Sequence, residues 1–486
     1  MGKTIRTVLT ALFFVFSLAG VSSANCLKCH ADHAKGKVVH PAVQMGCEAC
    51  HTGVDASTVP HKFTGDLGLS AQPPDLCFQC HDDSAMPDRF KFHQSVVHPP
   101  VAEGMCTFCH DPHTSKNKYL LKQTPPDLCF NCHDKKEFLA KSAIHPPVMA
   151  GLCIYCHNPH SSNNEKLLRK PPPDLCFMCH NDKHFVKEKT VHPPVFAGQC
   201  LMCHYPHQSD HRKLLRATPP DLCFRCHDGK ALMGHRHKHP PAEAGMCLFC
   251  HKPHESDNPK LLVQMPPDLC LNCHDKSLIF GKAVGHPPVR AGMCPKCHSP
   301  HSSRYSKLLW VPPPYLCFRC HDRQQFWGGR KVHGPVKIGM CMYCHFPHQS
   351  DNDKLLRKPV PDLCFTCHSQ EVQFLPRVQH PPVAAGLCLM CHKPHTSQSP
   401  LLLVFPKVNQ VCNQCHPQEV AGPHAIAGLS QKGHPTHGYP DPRRPHRELC
   451  CTSCHNQHGS DSVYIFRFPA KNPYDICVNC HPEKMR

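Results

Sequence analysis

Apolar residues in this chain come in short clusters, and only one run is sustained. It extends from Val8 to Ala19, behind Lys3 and Arg6 and ahead of the small residues Ser22 and Ala24. A basic start, an apolar middle and a small-residue exit predict an export signal over residues 1–24, with Asn25 as the mature N-terminus. The run is too short for a comfortable membrane span; an uncleaved anchor is the alternative. Downstream the pattern repeats instead of running on. Pro-Pro-Asp-Leu or a close variant recurs, mostly at steps of 47 residues, and each unit closes on a Leu-Leu pair such as Leu167 and Leu168. Asp127, Asp174, Asp221 and Asp268 follow prolines and precede a short helical turn, which makes them expected N-caps. With 53 prolines against 26 glycines, the connecting segments are expected to be stiff extended or turn structure. Short helices at the repeated motifs and little else regular is the predicted secondary structure. The Leu pairs are expected to pack against a neighbouring repeat or bound group, the alternative being a partner surface.

What repeats is Cys-x-x-Cys-His, nineteen times over. One set follows the Pro-Pro segments: Cys77 and Cys80, Cys129 and Cys132, Cys176 and Cys179, Cys223 and Cys226, Cys270 and Cys273, Cys317 and Cys320, Cys364 and Cys367. These close on His81, His133, His180, His227, His274, His321 and His368. Its companions, usually after Gly-Met or Gly-Leu, are Cys106 and Cys109, Cys153 and Cys156, Cys200 and Cys203, Cys247 and Cys250, Cys294 and Cys297, Cys341 and Cys344, Cys388 and Cys391. They close on His110, His157, His204, His251, His298, His345 and His392. Two motifs precede the seven units, Cys26, Cys29 and His30, then Cys47, Cys50 and His51. Three follow: Cys412, Cys415 and His416; Cys451, Cys454 and His455; Cys477, Cys480 and His481. Residues at i, i+3 and i+4 share one face of a helical turn, so two thiols can bond a haem edge while the imidazole reaches its iron. This is the c-type haem attachment signature. Zinc ribbons and dithiol motifs do not require a histidine after every pair.

Each iron needs a second axial ligand, and the remaining histidines supply candidates at fixed places. One per unit lies in a His-Pro segment: His98, His145, His192, His239, His286, His333 and His380. Another ends His-x-Pro-His: His113, His160, His207, His254, His301, His348 and His395. His33, His40 and His458 share these offsets in the end units. Two more ligands are expected from a pool of ten, of which His61 and His434 are chosen over His93, His184, His211, His235, His237, His424, His437 and His446. A histidine three residues past a proximal one cannot round its own haem, so it must serve another. Met105, Met246, Met293 and Met340, which precede motif cysteines, are expected to pack rather than ligate.

The formal charge of +18 suggests nucleic acid until two propionates on each of nineteen haems are counted, which turns the loaded protein acidic. Scattered lysines and arginines then read as propionate partners, and no nucleic-acid binding is expected. About 24 mature residues serve each motif, so the haems themselves are expected to form the core. The expected organisation is a signal at 1–24, a dihaem unit at 25–65, seven tandem dihaem repeats at 66–400 and a trihaem unit at 401–486, in one elongated array. Terminal units of such an array cap rather than stack.

The doubled motif with its intervening His-Pro, as in Cys129 to His160, resembles the doubled Cys-x-x-Cys-His multihaem cytochromes c of metal-respiring and other anaerobic bacteria. The resemblance implies electron transfer through closely packed haems outside the cytoplasm: in the periplasm, across the outer membrane inside a porin partner, or along an extracellular filament. Other cytochromes would be redox partners, and self-association is a further reading. The rival is a multihaem reductase, which would need an open iron near one terminus. All nineteen motifs end in His, which removes the lysine substitution that marks many such enzymes. Cys450, directly before the Cys451 motif, is the one cysteine left over, and Cys451 is expected to be the attached residue.

Overall fold

A repeat is best followed from Pro126. That residue enters the helical region (φ −85°, ψ −12°) and starts the one-turn helix Asp127–Phe130. Asp127 is therefore the first helical residue, with no side-chain cap hydrogen bond, and the same holds for Asp174, Asp221 and Asp268. The expected N-caps are thus corrected: proline occupies the cap, and the carboxylate sits in the first turn, where it faces the positive end of the helix. The His133 N–H donates to the Cys129 carbonyl at 3.0 Å, which gathers both cysteines and the histidine on a single turn.

After another one-turn helix, Lys136–Leu139, the chain runs extended through His145 (φ −63°, ψ 127°) into a further short helix, Pro146–Met149. This helix was not anticipated. Its cause is ordinary: the missing N–H of Pro146 falls where a helix leaves it unpaired anyway. Gly151 follows at φ +71°, and a Cβ there would lie 2.4 Å from Cδ of Pro126, so the Pro-Pro turn and the start of the second motif press together. The second motif is a 3-10 turn, Cys153–Tyr155, closed by the His157 N–H on the Cys153 carbonyl at 3.0 Å. The same elements recur along the chain.

Beyond each second motif the backbone makes a tight loop. Lys166 and Leu167 both lie in the left-handed region (φ 56° and 57°), as do the equivalent pairs Lys213 and Leu214, Lys260 and Leu261, Lys307 and Leu308, Lys354 and Leu355. A buried serine holds the loop shut: Ser162 Oγ donates to the Leu168 carbonyl at 2.5 Å, and Ser209 does the same to Leu215. The Leu-Leu pair is thus part of a backbone device, with Leu167 and Leu168 only half-buried.

Two-residue strands join one repeat to the next. Val96–Val97 pairs antiparallel with Ser161–Ser162, Ala143–Ile144 with Gln208–Ser209, Thr190–Val191 with Glu255–Ser256, and Val284–Gly285 with Gln349–Ser350. The strand before each His-Pro segment always meets the strand after the next repeat's His-x-Pro-His. Gln208 strengthens its joint, accepting from the Ala140 and Lys141 amides at 2.7 and 2.8 Å and donating to the Lys136 carbonyl.

The computed structural model describes residues 26–84, 86–87, 90–181, 185, 187–369, 376–421, 424 and 433–485; the expected export signal lies outside the described residues. They form two compact units, one reaching Arg225 and including Pro253–Asp257, the other made of Cys226–Lys252 and Asn258–Arg486. Among the described residues the buried apolar side chains are Leu403, Leu449 and Phe466, and the fully buried ones are serines. The chain exposes 34307 Å², against roughly 18,000 Å² for a compact monomer of this mass. The polypeptide alone has no conventional core, as expected where haems fill that role. No helix among the described residues is long and apolar enough to cross a membrane.

Candidate haem-binding centres

Among the described residues, proximal histidines face a second imidazole, which inside the repeats comes from a neighbouring repeat. In the second-motif class, ring centroids are 6.0 Å apart for His110 and His160, 6.0 Å for His157 and His207, 6.1 Å for His204 and His254, and 6.1 Å for His251 and His301. His298 with His348, His345 with His395 and His392 with His458 continue the series at 5.9, 6.0 and 6.2 Å. In the first-motif class the partner lies one repeat back: His133 with His98 at 6.2 Å, His180 with His145 at 6.1 Å, His274 with His239 at 6.1 Å. His321 with His286, His368 with His333 and His416 with His380 all stand at 6.2 Å. Every junction so drawn exchanges ligand candidates in both directions. The end units supply the rest: His30 with His61 at 5.9 Å, His51 with His113 at 6.1 Å, His81 with His40 at 5.9 Å, His455 with His424 at 6.1 Å, and His481 with His434 at 6.3 Å.

These separations test whether a haem iron fits. An imidazole nitrogen about 2 Å from a metal, with its ring centre about 1.1 Å further out, places two opposed rings about 6 Å apart. The observed spacing is that of two rings with an iron between them. His33, by contrast, lies 4.5 Å from His113, too close to share a metal, and 6.0 Å from His30, its neighbour one turn away. His424, left in the pool by sequence reasoning, takes a proximal ring instead. Its signal was present but weak: it lies in the irregular C-terminal stretch, where no repeat offset points to it.

Hydrogen bonds to Nδ1 fix which nitrogen of a ring is free for metal. In second-motif sites the proximal ring is anchored, and its acceptor is the carbonyl of the left-handed residue: Lys166 for His157 at 2.8 Å, Lys213 for His204 at 2.9 Å, Lys307 for His298 and Lys354 for His345 at 2.8 Å; the distal His160 is anchored as well, to the Phe90 carbonyl at 3.1 Å. The unusual φ values thus aim a carbonyl at the imidazole. In first-motif sites the anchored ring is the distal one, bonded at 3.0 Å to a proline carbonyl of the next repeat: His98 to Pro159, His286 to Pro347, His333 to Pro394. His192 is anchored likewise, to Pro253, and His227 follows the helix Asp221–Phe224 as its counterparts do. Burial pushes the pKa values of His160, His207, His301 and His348 down, which favours the neutral, ligating form.

The cysteines show which attachment sites are neighbours. Hydrogen bonding from Cys129 pulls the Cys153 thiol down to about 7 and pushes Cys129 up. Cys270 does the same to Cys294, which falls to about 6, and Cys317 to Cys341, at about 7. First cysteines thus meet within a repeat. Second cysteines meet between repeats: Cys109 lies near Cys132, Cys156 near Cys179, Cys297 near Cys320 and Cys391 near Cys415. The C-terminal motifs obey the same rule, with Cys451 against Cys412 and Cys454 near Cys480. Cys450 caps the helix Cys451–Cys454 from outside, its sulfur 3.3 Å from Thr452 Oγ1. Two arginines from the expected propionate set, Arg216 and Arg357, lie over the rings of Tyr205 and Phe346 at 4.3 and 4.4 Å.

Comparison with known proteins agrees with this arrangement. A family described as the doubled CXXCH motif matches residues 40–86, 98–138, 145–185, 192–232, 239–278, 286–326, 333–373, 380–421 and 444–486. Over 131 residues the chain is 31% identical to the multiheme cytochrome MtrA of Shewanella baltica (strain OS185), a match covering 23% of this chain and 38% of that relative.

Proposed function

The chain belongs to the doubled CXXCH motif family, whose paired repeats bind c-type haem, and from that premise we propose that it is an electron conduit holding nineteen covalently attached haems, each iron closed by two histidines. Bound there, each haem would supply a reversible one-electron iron couple, held at low potential by two imidazoles in the absence of a methionine sulfur.

The observation that carries this reading is the opposed ring pair about 6 Å apart, repeated at motif after motif. In this reading the distal set consists of the repeat histidines with His40, His61, His424, His434 and His458, and His424 takes the place expected of His33. Cys451, not Cys450, is the attached residue, because Cys451 occupies the first-cysteine position beside Cys412. The alternation of first-cysteine and second-cysteine neighbours within each compact unit supports a haem order that follows the sequence. Proximal and distal histidines, their Nδ1 anchors and the strand joints do one job here: they hold successive sites side by side and closed to small molecules.

The functional setting proposed is extracytoplasmic, with redox proteins as donor and acceptor. It rests on the apolar run at Val8–Ala19 and on the likeness to a multiheme cytochrome. A porin sheath or a filament would be an elaboration of the same conduit. The organisation proposed remains one dihaem unit, seven tandem repeats and a trihaem unit after the signal.

Intact mass and a haemochrome assay on the purified holoprotein should both give nineteen haems, and the ferric protein should be almost wholly low-spin. Seventeen or fewer haems would sink the ligand arithmetic, and a large high-spin fraction with turnover of a nitrogen or sulfur oxyanion would replace the conduit with the reductase.

A further inference from the structure

Within the repeats, the plane of a distal imidazole is set by the repeat that follows. His145 donates its backbone N–H to the His207 carbonyl at 2.8 Å, and His286 donates likewise to His348 at 2.9 Å while its Nδ1 bonds Pro347. Most first-motif ring pairs are nearly parallel, at 11° for His98 with His133, 11° for His145 with His180, 9° for His239 with His274, 12° for His286 with His321 and 16° for His333 with His368, while His380 with His416 stands at 27° and His40 with His81 at 41°. Second-motif pairs fall between 27° for His251 with His301 and 45° for His298 with His348.

Among the described residues, no such strand joint holds the partners of the last two motifs, although Gly459–Ser460 after the Cys451 motif pairs with Val378–Gln379. Those partners, His424 and His434, bridge to each other instead, the His434 N–H reaching the His424 carbonyl at 3.4 Å. The ring planes turn accordingly, to 67° for His424 with His455 and 73° for His434 with His481.

That angle has an electronic consequence. Two parallel imidazoles donate π density into the same iron d orbital, which raises it above its partner and stabilises the ferric hole placed there. Crossed imidazoles donate into different orbitals, leaving the two nearly degenerate and the hole with one effective donor. Ferric iron is then less favoured. The Nδ1 of His424 is also buried with no hydrogen-bond partner, and an imidazole without an Nδ1 acceptor is a weaker donor, which acts in the same direction.

We infer that the His424/His455 and His434/His481 sites form a distinct, more readily reduced class within the C-terminal unit, an electron sink that gives the conduit a preferred end. This rests on the ligation proposed above. Filling the sink adds one electron per iron, ferric to ferrous, with no bond made or broken and no proton required.

Electron paramagnetic resonance of the fully ferric holoprotein tests it. Near-degenerate orbitals give a strongly anisotropic low-spin signal at large g, distinct from the rhombic signals of near-parallel pairs. The large-g component should integrate to two irons of the nineteen and should vanish first in a reductive titration followed by the same signal. Its absence, or its loss together with or after the rhombic signals, overturns the inference. The variant His434→Ala separates this from the ligation itself. One new high-spin iron with half of the large-g intensity gone supports both. One new high-spin iron with that intensity intact removes the inference alone, and no new high-spin iron removes the ligation of this site.

Discussion

A junction between two repeats and the C-terminal segment both set a second imidazole opposite a proximal one, and they do so with different parts. At the junction, the ligand candidates His145 and His207 flank paired strands from successive repeats, so each repeat supplies a ring that faces its neighbour's proximal histidine. In the C-terminal unit the ligands come from within: a local bridge supplies His424 and His434, and the hairpin Pro440–Asp441 with Arg444–Glu448 braces the unit. There the almost fully buried Asp441 carboxylate takes Arg444 at 2.7 Å and Ser453 Oγ at 2.8 Å. Pairs across repeat junctions stay at or below 45°, and the local pairs of the C-terminal segment reach 67° and 73°. The lesson is that the repeat is a spatial unit only in pairs; what is periodic in the sequence is half of each site.

The largest expected effect that could break this comparison is at His207. Replacing it with Ala should open one iron, that of the Cys153/Cys156 motif facing His207 across 6.0 Å, and leave the Cys200/Cys203 iron closed. Magnetic circular dichroism should show one high-spin haem with attachment intact; a fully low-spin variant would dissolve the reciprocal junction. Next in size, Gly151→Ala should lower stability by about 2–4 kcal/mol through its left-handed backbone and overpacking against Pro126. Thermal unfolding measures it, and an unchanged midpoint would mean that the contact inside a repeat is looser than the joint between repeats. Ser209→Ala, which frees the Leu215 carbonyl in a buried loop, should cost about 1–3 kcal/mol by the same measurement. At the small end, Asp210→Asn removes an exposed partner of Lys141 at 2.8 Å and should leave the unfolding midpoint unchanged. A measurable loss there would assign the joint to charge rather than to strand register.

The attachment residues were legible in the sequence because their geometry is local: a cysteine, a cysteine and a histidine on one turn. The distal pairing was not, and the reason is the period itself. His113 and His160 occupy the same place in their repeats, so sequence gives the class of a ligand but not the copy; strand register decides that His110 faces His160. His33 carried the offset of the His-x-Pro-His class but stands 4.5 Å from His113, which itself faces His51. His424 carried no offset at all. The left-handed Lys-Leu pairs were likewise hidden, since nothing in a lysine announces a positive φ; only the need to turn a carbonyl toward an imidazole explains it. The misplaced N-caps have a simpler cause: the proline before each aspartate is itself helical.

The strand joint between repeats also has a bearing on how such a chain can change in length. Because every interior repeat presents the same face forward and the same face back, excising residues 129–175, one whole period, would set the forward face of one repeat against the backward face of another with His98 and His207 still available as partners. The shortened chain would carry two haems fewer and no orphaned iron, whereas a cut that is not a whole number of periods would strand ligands on both sides. Length in this molecule is therefore a quantised property, adjustable in steps of 47 residues by duplication or loss, while the two end units stay as they are.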